Sequence, residues 1–240
     1  MRLGQLLFTQ GFGTRRECGA LVAAGQVTIA GRPCDDVDLE VEPEGLDFEV
    51  RGEAWTYHEH AVLVMNKPPG YECSQKPRHH PSVYALLPAP LRNRGVQAIG
   101  RLDEDTTGVL LFTDDGTLIH RLTSPRHHVP KVYEVTCKHP VDADQIGKLT
   151  RGVLLHDENE TVRAAACEAT GPSSLRMTLT EGKYHQVKRM IAAAGNRVEA
   201  LHRSEFGPVR AEGLAQGGWR WLSEAESSSV SRRQPSAVEP

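Results

Sequence analysis

The sequence predicts an α+β protein, in which a small helical module is followed by a mixed, largely antiparallel sheet. Predicted strands outnumber helices after residue 60, and several are joined by short turns, which favours antiparallel pairing over a doubly wound sheet. The first thirty residues instead space their apolar side chains as helices do. A chain of 240 residues is long enough for one sizeable core and a small additional module.

The N-terminal module is predicted to contain two short helices and a hairpin. Three leucines share the face of the first helix: Leu3, Leu6 and Leu7. Thr14 followed by Glu17 is a capping-box signature for the second helix, and Gly25 is placed to end it. Arg15 and Arg16 then lie on the first turn of that helix, where free backbone N–H groups favour bound phosphate.

The second domain is expected to follow a linker over residues 51–60 and to open with the apolar strand that begins at residue 61. Further strands are predicted at 109–113, 131–137, 162–169, 174–180, 197–203 and 217–222. Helices are predicted at 117–123, 142–150 and 185–194. Residues 226–240 are rich in Ser and Pro, so a disordered tail is expected there.

Charge is distributed unevenly along the chain, although the whole carries only −3. Residues 1–32 carry a net +3, residues 33–60 a net −9 and residues 61–240 a net +3. Two basic zones around an acidic stretch are compatible with a polyanionic partner. The sequence lacks an apolar run of the roughly 20 residues that a membrane helix needs, and no signal peptide is recognised. Five scattered cysteines indicate free thiols and a cytoplasmic protein.

Residues 1–55 resemble the S4 RNA-binding domain. The three motifs of that domain stand here as "RLGQLL", "TRRE" and "GQVTIAG". The resemblance implies that Arg15 and Arg16 bind RNA. Gly4 and Gln5 stand where the family usually has Asp and Lys, which removes one expected phosphate contact.

Four segments within residues 60–225 resemble the RsuA branch of the pseudouridine synthases, which modify ribosomal RNA. They are "MNKPPGYECS", "GRLDEDTTGVLLFTDDG", "TSPRHHVPKVYEV" and "EGKYHQVKRMIAAAGNRVEALHR". Their order and spacing fit the family, and so does the module in front of them. Within this branch, "TSPRHH" followed by Lys131 and Tyr133 is most similar to the small-subunit enzyme.

The resemblance implies a set of catalytic residues. Asp103 corresponds to the carboxylate that acts on the nucleoside as nucleophile or base. Lys188 corresponds to the basic residue that keeps this carboxylate ionised when a flipped base buries it, because a nearby cation offsets desolvation. Tyr133 corresponds to the aromatic residue that stacks on uracil and takes the C5 proton. Arg189 is the local rival of Lys188, but the two point about 100° apart on a helix, so only one can face Asp103.

Other basic residues are expected to bind RNA. Arg101 corresponds to a side chain that fills the space left by the extruded base, since a guanidinium is planar and stacks on bases. Lys131 and Arg189 are also predicted RNA contacts. Lys67 is expected to be either a phosphate contact or a solvated strand end, with neither favoured. Thr106, Thr107 and Gly108 are expected to fix the turn that presents Asp103.

Competing interpretations of the same motifs are weaker. Asp103 and Asp105 form a D-x-D pattern, but no further ligands lie at metal-site spacing. "FTDDGTL" is similar to a phosphatase motif, yet Thr113 stands where that motif requires its nucleophilic Asp. No metal and no cofactor are therefore expected.

The sequence thus predicts a cytoplasmic, monomeric enzyme that isomerises a uridine of small-subunit (16S) ribosomal RNA, alone or in an assembly particle. Two alternatives stay open. One is a synthase acting on large-subunit (23S) RNA, and the other is a non-catalytic RNA-binding assembly factor. A protein of the second kind would have no need of Asp103, Tyr133 and Lys188 together.

Overall fold

The structure is a computed structural model that describes residues 1–156 and 158–231. The chain divides into two compact units. The first contains residues 1–61 together with 87–97, and the second contains residues 62–86 and those from 98 onward. The short segment 87–97, which lies within the predicted second domain, belongs to the N-terminal unit.

The N-terminal unit contains two helices and a four-stranded sheet. The helices are α1 (Leu3–Thr9) and α2 (Arg15–Ala23). The strands are β1 (Val27–Ile29), β2 (Arg32–Cys34), β3 (Asp47–Val50) and β4 (Glu53–Thr56), in the order β2-β1-β3-β4. The predicted capping box is present, because Thr14 Oγ1 accepts from the Glu17 N–H and the Glu17 carboxylate accepts from the Thr14 N–H. Gly25 follows α2 with φ +63°, as expected for a helix stop.

The predicted linker at 51–60 is wrong over much of its length. Residues 53–56 form β4, which pairs with β3 in an antiparallel hairpin. The turn between them is Arg51-Gly52, with φ of 55° and 80°. Two positive φ values in succession are the geometry of a type I′ hairpin turn. The sequence signal for this turn is weak, because Arg rarely occupies the first of the two central positions of a type I′ turn.

Segment 87–97 carries helix α3 (Ala89–Asn93) and is hydrogen-bonded to the rest of the N-terminal unit. Asn93 Nδ2 donates to the carbonyl of Gly11 at 2.9 Å. The Arg94 guanidinium donates to Gln10 Oε1 at 2.7 Å and to the carbonyl of His58 at 3.0 Å. These long-range bonds explain why a segment inside the second predicted domain belongs to the first unit.

The second unit is built on a long mixed sheet. Its strands are β5 (Val62–Lys67), β6 (Gln97–Ile99), β7 (Thr107–Thr113), β8 (Lys131–Cys137), β11 (Ala166–Gly171), β12 (Ser174–Leu179), β13 (Val198–Phe206), β14 (Val209–Arg210) and β15 (Trp219–Trp221). The order is β11-β12-β8-β13-β7-β5-β15, with β14 beside β13 and β6 beside β7. In the described residues β13 runs parallel to β7, and the other registered pairs are antiparallel. A mixed, largely antiparallel sheet is thereby confirmed.

Helices and two short strands complete this unit. The helices are α4 (Gly116–Thr123), α5 (Ala143–Arg151), α6 (Gln186–Ala193) and α7 (Glu224–Ser231). The short strands are β9 (Val153–Leu154) and β10 (Thr161–Val162). The strand predicted at 162–169 is therefore two separate strands, β10 and β11. The predicted strands at 197–203 and 217–222 exist as β13 and β15. They do not form a pair with each other in the described sheet, because β13 pairs with β8 and β15 pairs with β5.

The expected disorder of the tail is wrong for residues 226–231, which lie in α7. Ser223 and Glu226 form a reciprocal cap at its start, and Glu226 also binds both terminal nitrogens of Arg220. Val230 is buried in the apolar core, and its carbonyl accepts from Arg121. The Ser-x-x-Glu capping signature is visible in the sequence but is masked by the Ser-rich composition. Residues 232–240 of the predicted tail lie outside the described residues.

Gly108 allows β7 and β13 to lie side by side. Its φ is +102°, and a Cβ at this position would collide with the carbonyl oxygen of Arg203. Gly108 and Arg203 are also register partners in the parallel pair of strands. The close-packed glycine expected after Asp103 is therefore present, and it joins the two strands on either side of the site.

Gly108→Ala should destabilise the protein by at least about 2 kcal/mol, because the new Cβ meets backbone and φ is unfavourable for any other residue. Urea unfolding would measure the change. Gly116→Ala is the matched control, since Gly116 opens α4 with an ordinary φ and nothing within 4 Å of its Cβ position. Equal stability of the Gly108→Ala variant and the wild type would contradict this account.

Candidate active site

Asp103 lies in the loop between β6 and β7. Its carbonyl accepts from the N–H of Thr106 at 3.1 Å, which closes a tight turn. Thr106 is buried and Thr107 begins β7, so the turn is anchored in the sheet. The carboxylate itself is only 26% exposed. A partly desolvated carboxylate at the end of a strand needs cationic or hydrogen-bonding partners to stay ionised.

Helix α6 and the residue before it supply those partners. Lys188 Nζ lies 3.0 Å from Asp103 Oδ2, and His185 Nε2 lies 3.0 Å from Asp103 Oδ1. Each oxygen of the carboxylate therefore has its own partner. Lys188 Nζ also donates to both oxygens of Asp105, at 2.6 and 2.9 Å. One ammonium group thus bridges two carboxylates of the same loop.

The shared ammonium is stabilised in its charged form. Burial works against the charge of Lys188, but its hydrogen bonds to Asp105 and Asp103 outweigh that effect, and its pKa lies above the ordinary value. Burial likewise tends to raise the pKa of Asp105, but the bond from Lys188 brings that pKa below its ordinary value. The bridge between Lys188 and Asp105 therefore persists at neutral pH.

The two basic neighbours on α6 face different groups. Lys188 faces Asp103, whereas Arg189 Nη1 donates to the carbonyl of Tyr184 at 3.2 Å and lies 3.8 Å from Glu158. Of these two neighbours, Lys188 is the one that contacts Asp103. The guanidinium of Arg189 thus binds groups of its own chain, and its role as an RNA contact stays a prediction.

Both interpretations offered for Lys67 are wrong. The side chain is fully buried, and its Nζ donates to the carbonyls of Pro68, Glu104 and Thr106 at 2.9–3.1 Å. Burial lowers its pKa, although nearby acidic groups oppose that effect. Lys67 therefore cannot reach a phosphate, and it instead holds the loop that carries Asp103.

Asp103 opens into a pocket of about 170 Å³ within the second unit. Tyr133 from β8 lines this pocket and is 8% exposed, so its ring is largely fixed by packing. Basic side chains outnumber acidic ones in the lining. The basic residues are Arg101, Lys131, Lys183, Lys188 and Arg203, and the acidic residues are Asp103 and Glu181. This balance suits a ligand that carries negative charge.

Lys131 and Arg203 lie together at this pocket against the ring of Phe206. Their cationic groups are 5.4 and 5.2 Å from the ring centroid. Arg203 is 2% exposed, and its Nε donates to the carbonyl of Val109 at 2.8 Å. Burial lowers the pKa of Lys131 to about 8, and the charge of Arg203 adds to this effect while Glu181 opposes it.

The structure thus places five of the predicted site residues at one pocket: Asp103, Tyr133, Lys188, Arg101 and Lys131. Arg15 and Arg16 belong to the N-terminal unit, where both are exposed on α2. The guanidinium of Arg15 lies 4.6 Å from the ring centroid of Phe8. The Glu17 carboxylate of the capping box already occupies part of that helix start.

His185, Arg203 and the second role of Lys188 at Asp105 were missed by the sequence analysis. Spacing along α6 could have indicated His185, because residues 185 and 188 are three apart and share a face. Arg203 alternates with Leu201 on the pocket side of β13, a signal that period-2 patterning contains. The Asp105 contact depends on loop geometry and has no sequence signal.

Residues 1–156 and 158–231 contain no group of three or more His, Cys, Asp or Glu side chains arranged to hold a metal ion. Over the same residues, no helix is both long and apolar enough to cross a membrane. The five cysteines are free thiols.

The RNA pseudouridylate synthase family matches residues 61–193, and the S4 domain matches residues 1–46. The chain is 40% identical over 232 residues to the ribosomal small subunit pseudouridine synthase A of Escherichia coli strain K12, covering 96% of this chain and all of that protein. It is 42% identical over 231 residues to an uncharacterised RNA pseudouridine synthase of Bacillus subtilis, covering 94% and 96%.

A solved crystal structure of a pseudouridylate synthase is also similar. It superposes with a TM-score of 0.68 at 34% sequence identity, and the match covers 96% of this chain and 99% of the other.

The charge of Lys131 should be lost as pH rises through about 8, well below the ordinary lysine value of 10.5. Between these values the unfolded chain binds a proton that the folded chain lacks, so the contribution of Lys131 to stability rises with pH across that window. An NMR titration of the Lys131 side chain would measure the midpoint. Glu181→Gln should lower it further, because a carboxylate that favours the ammonium is removed. A midpoint near 10.5 would refute the prediction.

Proposed function

The chain belongs to the RNA pseudouridylate synthase family, and from that premise we propose that it isomerises one uridine of small-subunit ribosomal RNA to pseudouridine. The small-subunit substrate is supported by relatives at 40% identity that carry this name and match along their whole length. The N-terminal S4 domain supports an RNA substrate. The names of these relatives favour small-subunit over large-subunit RNA.

The reaction exchanges one bond of the nucleoside for another. The N1–C1′ bond breaks, the uracil ring turns, and C5 bonds to C1′ in its place. The proton on C5 is lost and N1 gains one, so the formula of the nucleoside is unchanged. The enzyme therefore needs a group that acts on the nucleoside, a site that holds the detached base, and a group that takes the proton.

A single observation carries the assignment of Asp103 as the group that acts on the nucleoside. Its carboxylate is largely withdrawn from water, lines the pocket, and has one cationic or hydrogen-bonding partner on each oxygen. Such a carboxylate stays oriented when a base enters and excludes water. It acts as nucleophile at the sugar or as base. Lys188 and His185 position it.

Tyr133 is proposed to stack on the extracted uracil and to receive the C5 proton, because its ring is fixed at the same pocket. Arg101 is exposed at this pocket, where it can replace the extruded base in the RNA stack. Extrusion costs a few kcal/mol, so such replacement contacts are needed. Lys131 is proposed to contact the RNA backbone, with a charge that weakens above pH 8.

Arg15 and Arg16 are proposed to bind phosphates of the same RNA. Both are exposed on the first turn of α2 in a segment with a net charge of +3. The strongly acidic segment 33–60 repels RNA. RNA contacts on this unit should therefore be confined to the basic segment 1–32. We also propose that the enzyme works as a cytoplasmic monomer on an assembly particle, since one chain supplies Asp103 and both of its partners.

A non-catalytic RNA-binding factor is the rival function. Such a protein would gain nothing from a carboxylate bracketed by Lys188 and His185 in a pocket, because holding an ionised carboxylate away from water costs free energy. An enzyme has a reason to keep such a carboxylate, because the carboxylate carries out the reaction.

Asp103→Asn should abolish pseudouridine formation and leave RNA binding nearly intact. Asn preserves the size of the side chain, but it lacks the negative charge and the reactive oxygen. The loss should exceed the roughly 10²–10⁴-fold that is usual for one general acid or base. The measurements are pseudouridine formed in small-subunit ribosomal RNA or its assembly particle, and RNA affinity at fixed salt.

Glu104→Gln is the matched control for that variant, because Glu104 is the neighbouring exposed acid. Its backbone carbonyl, which accepts from Lys67, is unchanged by the substitution. It should retain wild-type activity. Asp105→Asn should show an intermediate loss, since Asp105 shares the ammonium of Lys188. If Asp103→Asn keeps substantial turnover, the carboxylate has been misassigned. If the wild type binds RNA but makes no pseudouridine on any ribosomal substrate, the binding factor is correct.

Lys188→Met should lower kcat by about 100-fold or more, whereas Arg189→Met should lower it less than about 10-fold. The reason is that Lys188 binds Asp103 and Arg189 does not. The acid limb of the rate profile should also move to higher pH in Lys188→Met, because a carboxylate without an adjacent ammonium ionises at higher pH. Equal losses in the two variants, or an unmoved acid limb, would show that Lys188 does not position the carboxylate.

A further inference from the structure

Tyr184 is the most exposed of the large hydrophobic side chains in the described residues, at 74%. It lies in the loop between β12 and α6, next to His185, which lines the pocket. We propose that Tyr184 is a stacking platform for the base of a nucleotide that neighbours the target uridine in the RNA. This inference rests on the proposed function and adds a recognition residue to the same site.

The ring of Tyr184 is held in place by its neighbour. It stacks on the imidazole of His185, with ring centroids 3.8 Å apart and planes 19° apart. His185 in turn binds Asp103 through Nε2. One face of the Tyr184 ring is therefore covered, and the exposure of the residue leaves the other face to solvent. A ring oriented in advance loses little conformational freedom when a base stacks on it.

The backbone around the ring is fixed as well. The carbonyl of Tyr184 accepts from Arg189, and the buried side chain of Gln186 accepts from the Lys183 N–H and donates to Glu181. His185 has φ 46°, in the left-handed region that residues other than glycine seldom adopt. Strained residues of this kind persist where the surroundings hold them, and they concentrate at functional sites. Here the strained residue is the one that joins the stack to Asp103.

The chemistry of base extrusion explains why an aromatic platform is useful at this position. When one base leaves the stack, each flanking base loses a stacking partner on one side. RNA-binding proteins commonly offer an aromatic ring to such unstacked bases, and every base has a face that can use it. Another aromatic side chain at this site, Tyr133, is buried in the pocket and is assigned to the extracted uracil. Tyr184 therefore suits a flanking nucleotide of any sequence.

Tyr184→Ala and Tyr184→Phe test the proposal on small-subunit assembly particles from cells that lack this gene. Loss of one base–aromatic stack corresponds to about a 5- to 150-fold change in binding, so Tyr184→Ala should raise KM by at least about 5-fold. Its kcat should stay within about threefold of wild type. Tyr184→Phe keeps the ring and should behave as wild type. Leu154→Ala is the control, because it removes another exposed apolar side chain, 59% exposed on β9.

A fall in kcat with KM unchanged in Tyr184→Ala would overturn the proposal, because it would show that Tyr184 acts only by holding His185 against Asp103. An equal effect of Leu154→Ala would overturn it too, since the effect would not be specific to stacking. Failure of the proposed function is a separate result, namely no pseudouridine formed by the wild type.

A photo-crosslinking phenylalanine analogue at position 184 then identifies what covers the ring. A crosslink to a nucleotide beside the modified uridine is the expected result. A crosslink to a protein of the particle would replace RNA with a protein partner and overturn the proposal. Absence of any crosslink in an active enzyme would overturn it as well, because the ring would then face only solvent.

Discussion

The geometry of the pocket depends on the ammonium of Lys188, which lies between the carboxylates of Asp103 and Asp105. These acids and Lys188 are more than eighty residues apart, so the bridge ties the loop after β6 to helix α6. Bringing three charges out of water costs free energy unless they compensate one another. Here His185 completes the set by binding the remaining oxygen of Asp103. The same bridge therefore holds the carboxylate of Asp103 in place at the pocket.

The loop that carries Asp103 is supported on its other side by buried backbone contacts. The ammonium of Lys67 donates to three backbone carbonyls, two of which belong to Glu104 and Thr106. Gly108 then lets the strand that follows the loop approach β13. A lysine in such a position acts as a cross-link between strand ends. The carbonyls of Glu104 and Thr106, which flank the turn after Asp103, thereby have a hydrogen-bond donor inside the protein.

The proposed RNA contacts are of two kinds, charged and aromatic. Basic residues at the pocket, Arg101 and Lys131 among them, are proposed to contact the RNA backbone, which carries no sequence information. The two tyrosines have opposite exposures, because Tyr133 is buried beside Asp103 whereas Tyr184 faces solvent on the outer side of His185. The proposed division is that the buried ring holds the base that reacts and the exposed ring holds its neighbour.

The sequence by itself determined the fold class, the S4 and synthase segments, and the candidates Asp103, Tyr133 and Lys188, because these follow from local periodicity and from motifs in order. The choice of Lys188 over Arg189 followed from the family resemblance, and helical geometry added only that one of the two could face Asp103. The roles of Lys67, His185 and the segment 87–97 were decided only by the tertiary structure. Burial and long-range hydrogen bonds depend on which segments meet in space, and no local pattern records that a lysine at a strand end will point inward to three carbonyls.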